Sequence, residues 1–203
     1  MHITAARNWD AQQFNVKTAF LNGILPDEEI QFMEQPEGFA KPGKETWVWE
    51  LHKGLYGMRQ SGRIWNKQMH EAMLVWGFTR FACEWCMYYR HTDRGTVIAT
   101  IHVDDILSIA SKSEENERFK AQLQAKWTIS DLGDVKFALG IGIIRDRQSH
   151  TIALDQTALI DRIITQFCQN DSHPVSTPMD TGITLRHPHP SVKLLTTISQ
   201  SLA

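Results

Sequence analysis

Two short runs rich in β-branched residues flank a pair of adjacent carboxylates, and no other part of the chain constrains its fold as much. The first run is Gly95-Thr96-Val97-Ile98-Ala99-Thr100-Ile101-His102-Val103 and the second is Ile106-Leu107-Ser108-Ile109-Ala110, with Asp104-Asp105 between them. Runs of this length and composition read as buried strands, which puts the acidic pair at the turn of a β-hairpin. Two carboxylates at a tight turn repel each other and resist desolvation. The pair is therefore either a solvated turn or one side of a cation site.

The remaining segments alternate between hairpins and helices. Residues 13–16 read as a strand running into a helical turn that stops at Asn22-Gly23, and residues 30–33 and 46–51 read as two further strands. From 61 to 76 the apolar residues Ile64, Trp65, Met69, Met73 and Trp76 recur at helical spacing, and Gly77 ends the run. A strand through residues 86–91 turns at Thr92-Asp93-Arg94-Gly95 into the first β-branched run. Ser111-Lys112-Ser113-Glu114 reads as a capping box for a helix over 112–127 that places Phe119, Leu123 and Trp127 on one face. A hairpin over 136–154 and a last helix carrying Leu159, Ile163, Ile164 and Phe167 follow, and the Pro-, His- and Thr-rich tail reads as loosely ordered. Antiparallel hairpins mixed with helices give the class α+β.

Composition narrows the function. A net charge of −2 and a pI near 6.5 are not those of a surface that grips phosphate everywhere, so any nucleic-acid contact must be a local patch. The first residues lack the apolar core of a signal peptide, and no stretch approaches the ~20 apolar residues of a membrane span. Together with an odd set of three cysteines, this points to a reducing, cytoplasmic or nuclear setting. Cys83-Glu84-Trp85-Cys86 has C-x-x-C spacing, but Cys168 is distant and alone, and the pair reads as core packing rather than as a metal or redox site.

Several blocks, taken in order, carry a resemblance. Phe14-Asn15-Val16-Lys17-Thr18-Ala19-Phe20-Leu21-Asn22-Gly23 resembles the first catalytic motif of copia-type long-terminal-repeat retrotransposon reverse transcriptases. Met33-Glu34-Gln35-Pro36-Glu37-Gly38-Phe39 and Gly54-Leu55-Tyr56-Gly57-Met58-Arg59-Gln60-Ser61 resemble the next blocks, and His102-Val103-Asp104-Asp105 resembles the metal-binding V-D-D box. Asp131-Leu132-Gly133, Leu139-Gly140 and Pro174-Val175-Ser176-Thr177-Pro178-Met179 resemble later ones. The resemblance spans residues 13–180. It implies a reverse-transcriptase palm over 13–155 with an antiparallel sheet and packed helices, preceded by a residual leader over 1–12. The start of a thumb or connection would follow over 156–180, then a disordered tail over 181–203, with the fingers largely missing.

The chemistry that the resemblance implies is transfer of a nucleotide from a deoxynucleoside triphosphate to a primer 3′-hydroxyl on an RNA or DNA template. Two Mg²⁺ (or Mn²⁺) ions would clamp the attacking and leaving oxygens. In relatives the metal carboxylates stand at the positions of Asn15 and Asp104, with Asp105 shaping the local field. Phe20 stands where relatives carry an aromatic that crowds the sugar 2′-position, though core packing would equally account for it. Tyr56, Gly57, Arg59, Gln60 and Ser61 would line the nucleotide pocket, and Leu139-Gly140 would be the primer grip, or an ordinary hairpin turn. His102, Lys17 and Lys67 each have a bland reading as a strand histidine or solvated charges.

One departure dominates. Asn15 is nearly isosteric with aspartate but neutral, and its carbonyl is a far weaker ligand for Mg²⁺. The expectation is a polymerase fragment that is impaired or inactive. The alternative is a non-catalytic retrotransposon remnant that at most binds nucleic acid or a protein partner. The segments present do not extend to ribonuclease H, integrase or protease.

Overall fold

The β-branched runs do form the centre of the protein. The structure, a computed structural model, describes residues 1–167. In chain order its elements are α1 (His2–Ala6), β1 (Asp10–Val16), α2 (Ala19–Asn22), β2 (Gln31–Glu34), β3 (Val48–Leu51), α3 (Ser61–Val75), β4 (Thr79–Arg80), β5 (Met87–Thr92), β6 (Gly95–His102) and β7 (Asp105–Ala110). They continue with α4 (Ser113–Lys126), β8 (Ile129–Asp134), β9 (Phe137–Ala138), β10 (Ile141–Asp146), β11 (Thr151–Asp155) and α5 (Thr157–Gln166). One compact unit covers Met1–Thr157, and a second begins at Ala158, with most of α5 in it.

A six-stranded antiparallel sheet in the order β4-β5-β6-β7-β1-β8 organises the first unit. Side chains alternate across a strand, so each strand divides its residues between two faces. Phe14 and Val16 of β1, Val97, Ala99 and Ile101 of β6 and Ile106 of β7 all point to one face. There they pack with Trp65, Met69, Ala72 and Met73 of α3 and Phe119 and Leu123 of α4. The expected apolar stripes of both helices are thus the ones buried. A buried ion pair crosses this layer: Arg90 of β5 meets Glu115 of α4 at 3.3 Å, and Arg90 also donates to Trp76 O and Gln122 Oε1.

The other face carries Ala11, Gln13 and Asn15 of β1, in register with Ile109, Leu107 and Asp105 of β7. Its lower end meets a small three-stranded sheet, β11-β10-β9, where Ala11 and Ile109 pack on Val135 and Ile143. The strands β2 and β3 form a separate ribbon with Phe32, Trp47, Val48 and Trp49 exposed.

Two local expectations need correction, and two elements were not assigned from sequence. Ser111 does not cap α4. Its hydroxyl accepts from Thr96 N at 2.9 Å, and Lys112 occupies the cap position without a side-chain cap bond. Cys83 is exposed rather than packed in the core, and the strand expected through Cys86 begins one residue later at Met87. Residues 129–134 form the edge strand β8, which polar Ser130, Asp131 and Gly133 hide from any period-two reading. A helix, α1, also precedes β1, and β1 itself begins at Asp10. Pro174 to Met179, Cys168 and the tail expected to be loosely ordered lie outside the described residues.

Candidate active site

The acidic turn is tighter than its sequence suggests. His102 pairs with Asp105 across the ladder, so only Val103 and Asp104 make the connection. Val103 has φ +56°, a left-handed conformation that a β-branched residue adopts only under compulsion. Two hydrogen bonds supply that compulsion. The indole N–H of Trp65, from the N-terminal half of α3, donates to Val103 O at 2.6 Å, and Val16 N donates to Asp104 O at 2.8 Å. A buried indole needs a partner for its N–H, and Trp65 spends it on the acidic turn. Helical periodicity marked Trp65 as core only, and that unmet donor was the signal of its second role.

Asn15, Asp104 and Asp105 come together here. Asn15 Nδ2 donates to Asp104 Oδ2 at 3.1 Å and lies 3.4 Å from Asp105 Oδ1. All three are half-buried. One amide thus bridges the two carboxylates with its N–H groups. Among the described residues no group of three or more His, Cys, Asp or Glu side chains is gathered so that it could hold a metal ion. The oxygen donors at the turn are Asp104 and Asp105.

Beside the turn, α2 carries Phe20, whose ring meets that of Tyr56 at 4.8 Å between centroids. Gly54 permits this approach: a Cβ there would sit 2.9 Å from both Phe20 O and Ser61 Oγ. Nothing in its block of sequence marks Gly54 out, since close backbone approach leaves no mark beyond the glycine itself. Tyr56, Gly57 and Arg59 are exposed, Gln60 is half-buried, and Gly57 has φ +92°. Ser61 differs from its neighbours. It is buried, with its hydroxyl donating to Leu55 O at 2.6 Å, so it fixes the loop rather than facing solvent. Phe20, Trp65, Ile101 and Val103 wall a pocket of about 260 Å³ behind the turn. Lys17, Lys67 and His102 are exposed.

Leu139 and Gly140 connect β9 to β10 as a two-residue turn, with φ +51° and +80°. A bulky leucine in this conformation is strained, and it is 62 % exposed. Among the described residues no hydrogen bond joins this turn to the carboxylates. On β8, Gly133 N and Lys120 Nζ hold Asp131 by hydrogen bonds at 2.9 and 3.0 Å, and these keep its carboxyl below the usual range.

Comparison with known proteins identifies the family. The family model for reverse transcriptase (RNA-dependent DNA polymerase) matches residues 1–181. The Retrovirus-related Pol polyprotein from transposon TNT 1-94 of Nicotiana tabacum is 34 % identical over 180 residues, 88 % of this chain and 13 % of that protein. A putative transposon Ty5-1 protein of Saccharomyces cerevisiae is 36 % identical over 129 residues, 64 % of this chain and 41 % of its own length. The Pol polyprotein from transposon RE2 of Arabidopsis thaliana is 27 % identical over 180 residues, 89 % of this chain and 12 % of that protein. The chain thus spans less than half the length of each of these relatives. Among the described residues no helix is long and apolar enough to cross a membrane. The chain belongs to the reverse transcriptase (RNA-dependent DNA polymerase) family and is a copia-type reverse transcriptase region.

Proposed function

We propose that residues 13–155 are the palm of an RNA-directed DNA polymerase, with residues 156–180 starting the thumb or connection, and that Asn15 leaves this palm unable to polymerise at a useful rate. The open face of the main sheet takes the template-primer. Phe20, Tyr56, Gly57, Arg59 and Gln60 take the deoxynucleoside triphosphate, with Ser61 holding their loop. Leu139 and Gly140 hold the primer 3′-end. The contact that carries this reading is the Asn15 amide, 3.1 Å from Asp104 Oδ2.

The residues present do not fit a two-ion clamp. Such a clamp needs carboxylates from both strands, and β1 offers an amide whose N–H groups face the two acids instead. Asp104 with Asp105 fits at most one Mg²⁺ or Mn²⁺ together with phosphate oxygens and water, and its chemistry would be to neutralise phosphate charge. The same contact favours a second reading, a non-catalytic module that binds nucleic acid or a partner through the old groove. Salt-dependent template-primer binding by an Asn15→Asp variant that still extends no primer would distinguish it.

Thermal unfolding with and without Mg²⁺ tests the metal reading. Asn15→Asp exchanges two donated bonds for a third negative charge, so without Mg²⁺ it should lose about 1–2 kcal/mol. Adding Mg²⁺ should restore the variant while leaving the chain as written nearly unmoved. Equal stabilisation of both by Mg²⁺ would contradict the reading, as would no response from the variant.

A further inference from the structure

The small sheet that carries Leu139 and Gly140 rests lightly on the main one. Ile143 is its buried apolar anchor, whereas Phe137, Ile144 and Leu154 are exposed. Between the two sheets a cavity of about 690 Å³ opens, lined by Ala11, Val135, Ile143 and Ile152. Close packing elsewhere fixes position through many contacts, and an open cavity forfeits them. Apolar contact at Ile143, Ala138 and Ile152 therefore leaves part of the restraint on this sheet to polar bonds.

Two arginines of β10 and its following turn supply that restraint. Arg145 Nη2 donates to Trp9 O at 2.7 Å, Asn8 Oδ1 at 3.0 Å and Thr4 O at 3.3 Å. These acceptors converge because Asn8 takes φ +49°, which reverses the chain between α1 and β1, and asparagine tolerates that conformation better than most residues. Arg147 then reaches Asp10 at 3.6 Å and Asp134 at 3.5 Å, on β1 and β8. The segment that Arg145 clasps runs directly into the strand bearing Asn15.

We propose that Arg145 is a positioning residue: clasping Thr4, Asn8 and Trp9, it sets where the Leu139–Gly140 turn stands relative to Asn15 and Asp104. The primer-holding part of this inference rests on the function proposed above; the mechanical part does not. A lysine keeps the charge, but its ammonium lies one bond short of the Nη2 from which all three bonds are donated.

Two measurements test it. Hydrogen exchange on the chain as written should show that Arg145→Lys speeds exchange across β9, β10 and β11 about tenfold, with β6 and β7 unchanged. Asn8→Gly, which keeps the left-handed turn but removes one acceptor, should do the same more weakly, and it serves if Arg145→Lys does not fold. In an Asn15→Asp background, Arg145→Lys should raise the KM for primer about tenfold and leave kcat within about twofold. Unchanged exchange in the small sheet, or faster exchange spread equally over β1, β6 and β7, would overturn the proposal. A loosened small sheet with an unchanged primer KM would overturn it too. If the Asn15→Asp background extends no primer, the proposed function fails, while the exchange result still decides the role of Arg145.

Discussion

Phe14 and Asn15 are neighbours on one strand and belong to different worlds. Phe14 points into the helix-backed layer, fully buried, with its ring edge-on to Phe119 of α4. Asn15 points to the open face and bridges two carboxylates with one amide. The first face is held by packing and tolerates no loss of volume. The second is held by a few hydrogen bonds around a strained turn, and one exchanged atom changes its chemistry without disturbing the layer beneath. On the function proposed above, this separation is what would let a palm keep its fold and lose its reaction.

Truncation breaks the comparison most severely on the packed side. Phe14→Ala should cost about 3–5 kcal/mol in denaturant unfolding, as large-to-small changes in full cores do. Gln13→Ala, one residue away on the open face, should cost under about 0.5 kcal/mol. Comparable losses at both positions would mean that the open face is covered by packing after all.

A smaller effect sharpens the comparison at the sheet edge. Asp131 on β8 is held below its usual range chiefly by Gly133 N, then by Lys120, so its folded-state pKa is lower than its unfolded one. The sign follows: its contribution is complete above the unfolded pKa and disappears as pH falls through the folded one. The side chain is 38 % exposed, so solvent screening keeps this to a few tenths of a kcal/mol. Asp131→Asn should therefore destabilise slightly at pH 7 and be neutral at the acid end of that range. A pH-independent difference would remove the electrostatic explanation.

The two faces also differ in how far sequence reveals them. The packed layer was legible: β-branched runs marked β6 and β7, and apolar spacing marked the buried stripes of α3 and α4. The open face was legible only through its blocks of residues, which joined Asn15, Asp104 and Asp105 across about ninety positions of sequence before any geometry was known. What remained hidden has a common cause. Edge strand β8, the clasp of Arg145 and the bond from Trp65 to Val103 are each defined by hydrogen-bond partners distant in sequence, and no periodicity encodes a partner. The capping box failed for the same reason, since Thr96 N claimed the hydroxyl of Ser111.

The central claim is that one amide silences an otherwise assembled palm, and primer extension tests it most directly. The chain as written and Asn15→Asp would be compared on an RNA template with deoxynucleotides and Mg²⁺. The account predicts extension by Asn15→Asp alone, with the chain as written slower by about a thousandfold or more, because each 1.4 kcal/mol of transition-state stabilisation is worth a factor of ten. Extension by the chain as written at a rate within a few fold of Asn15→Asp would contradict it.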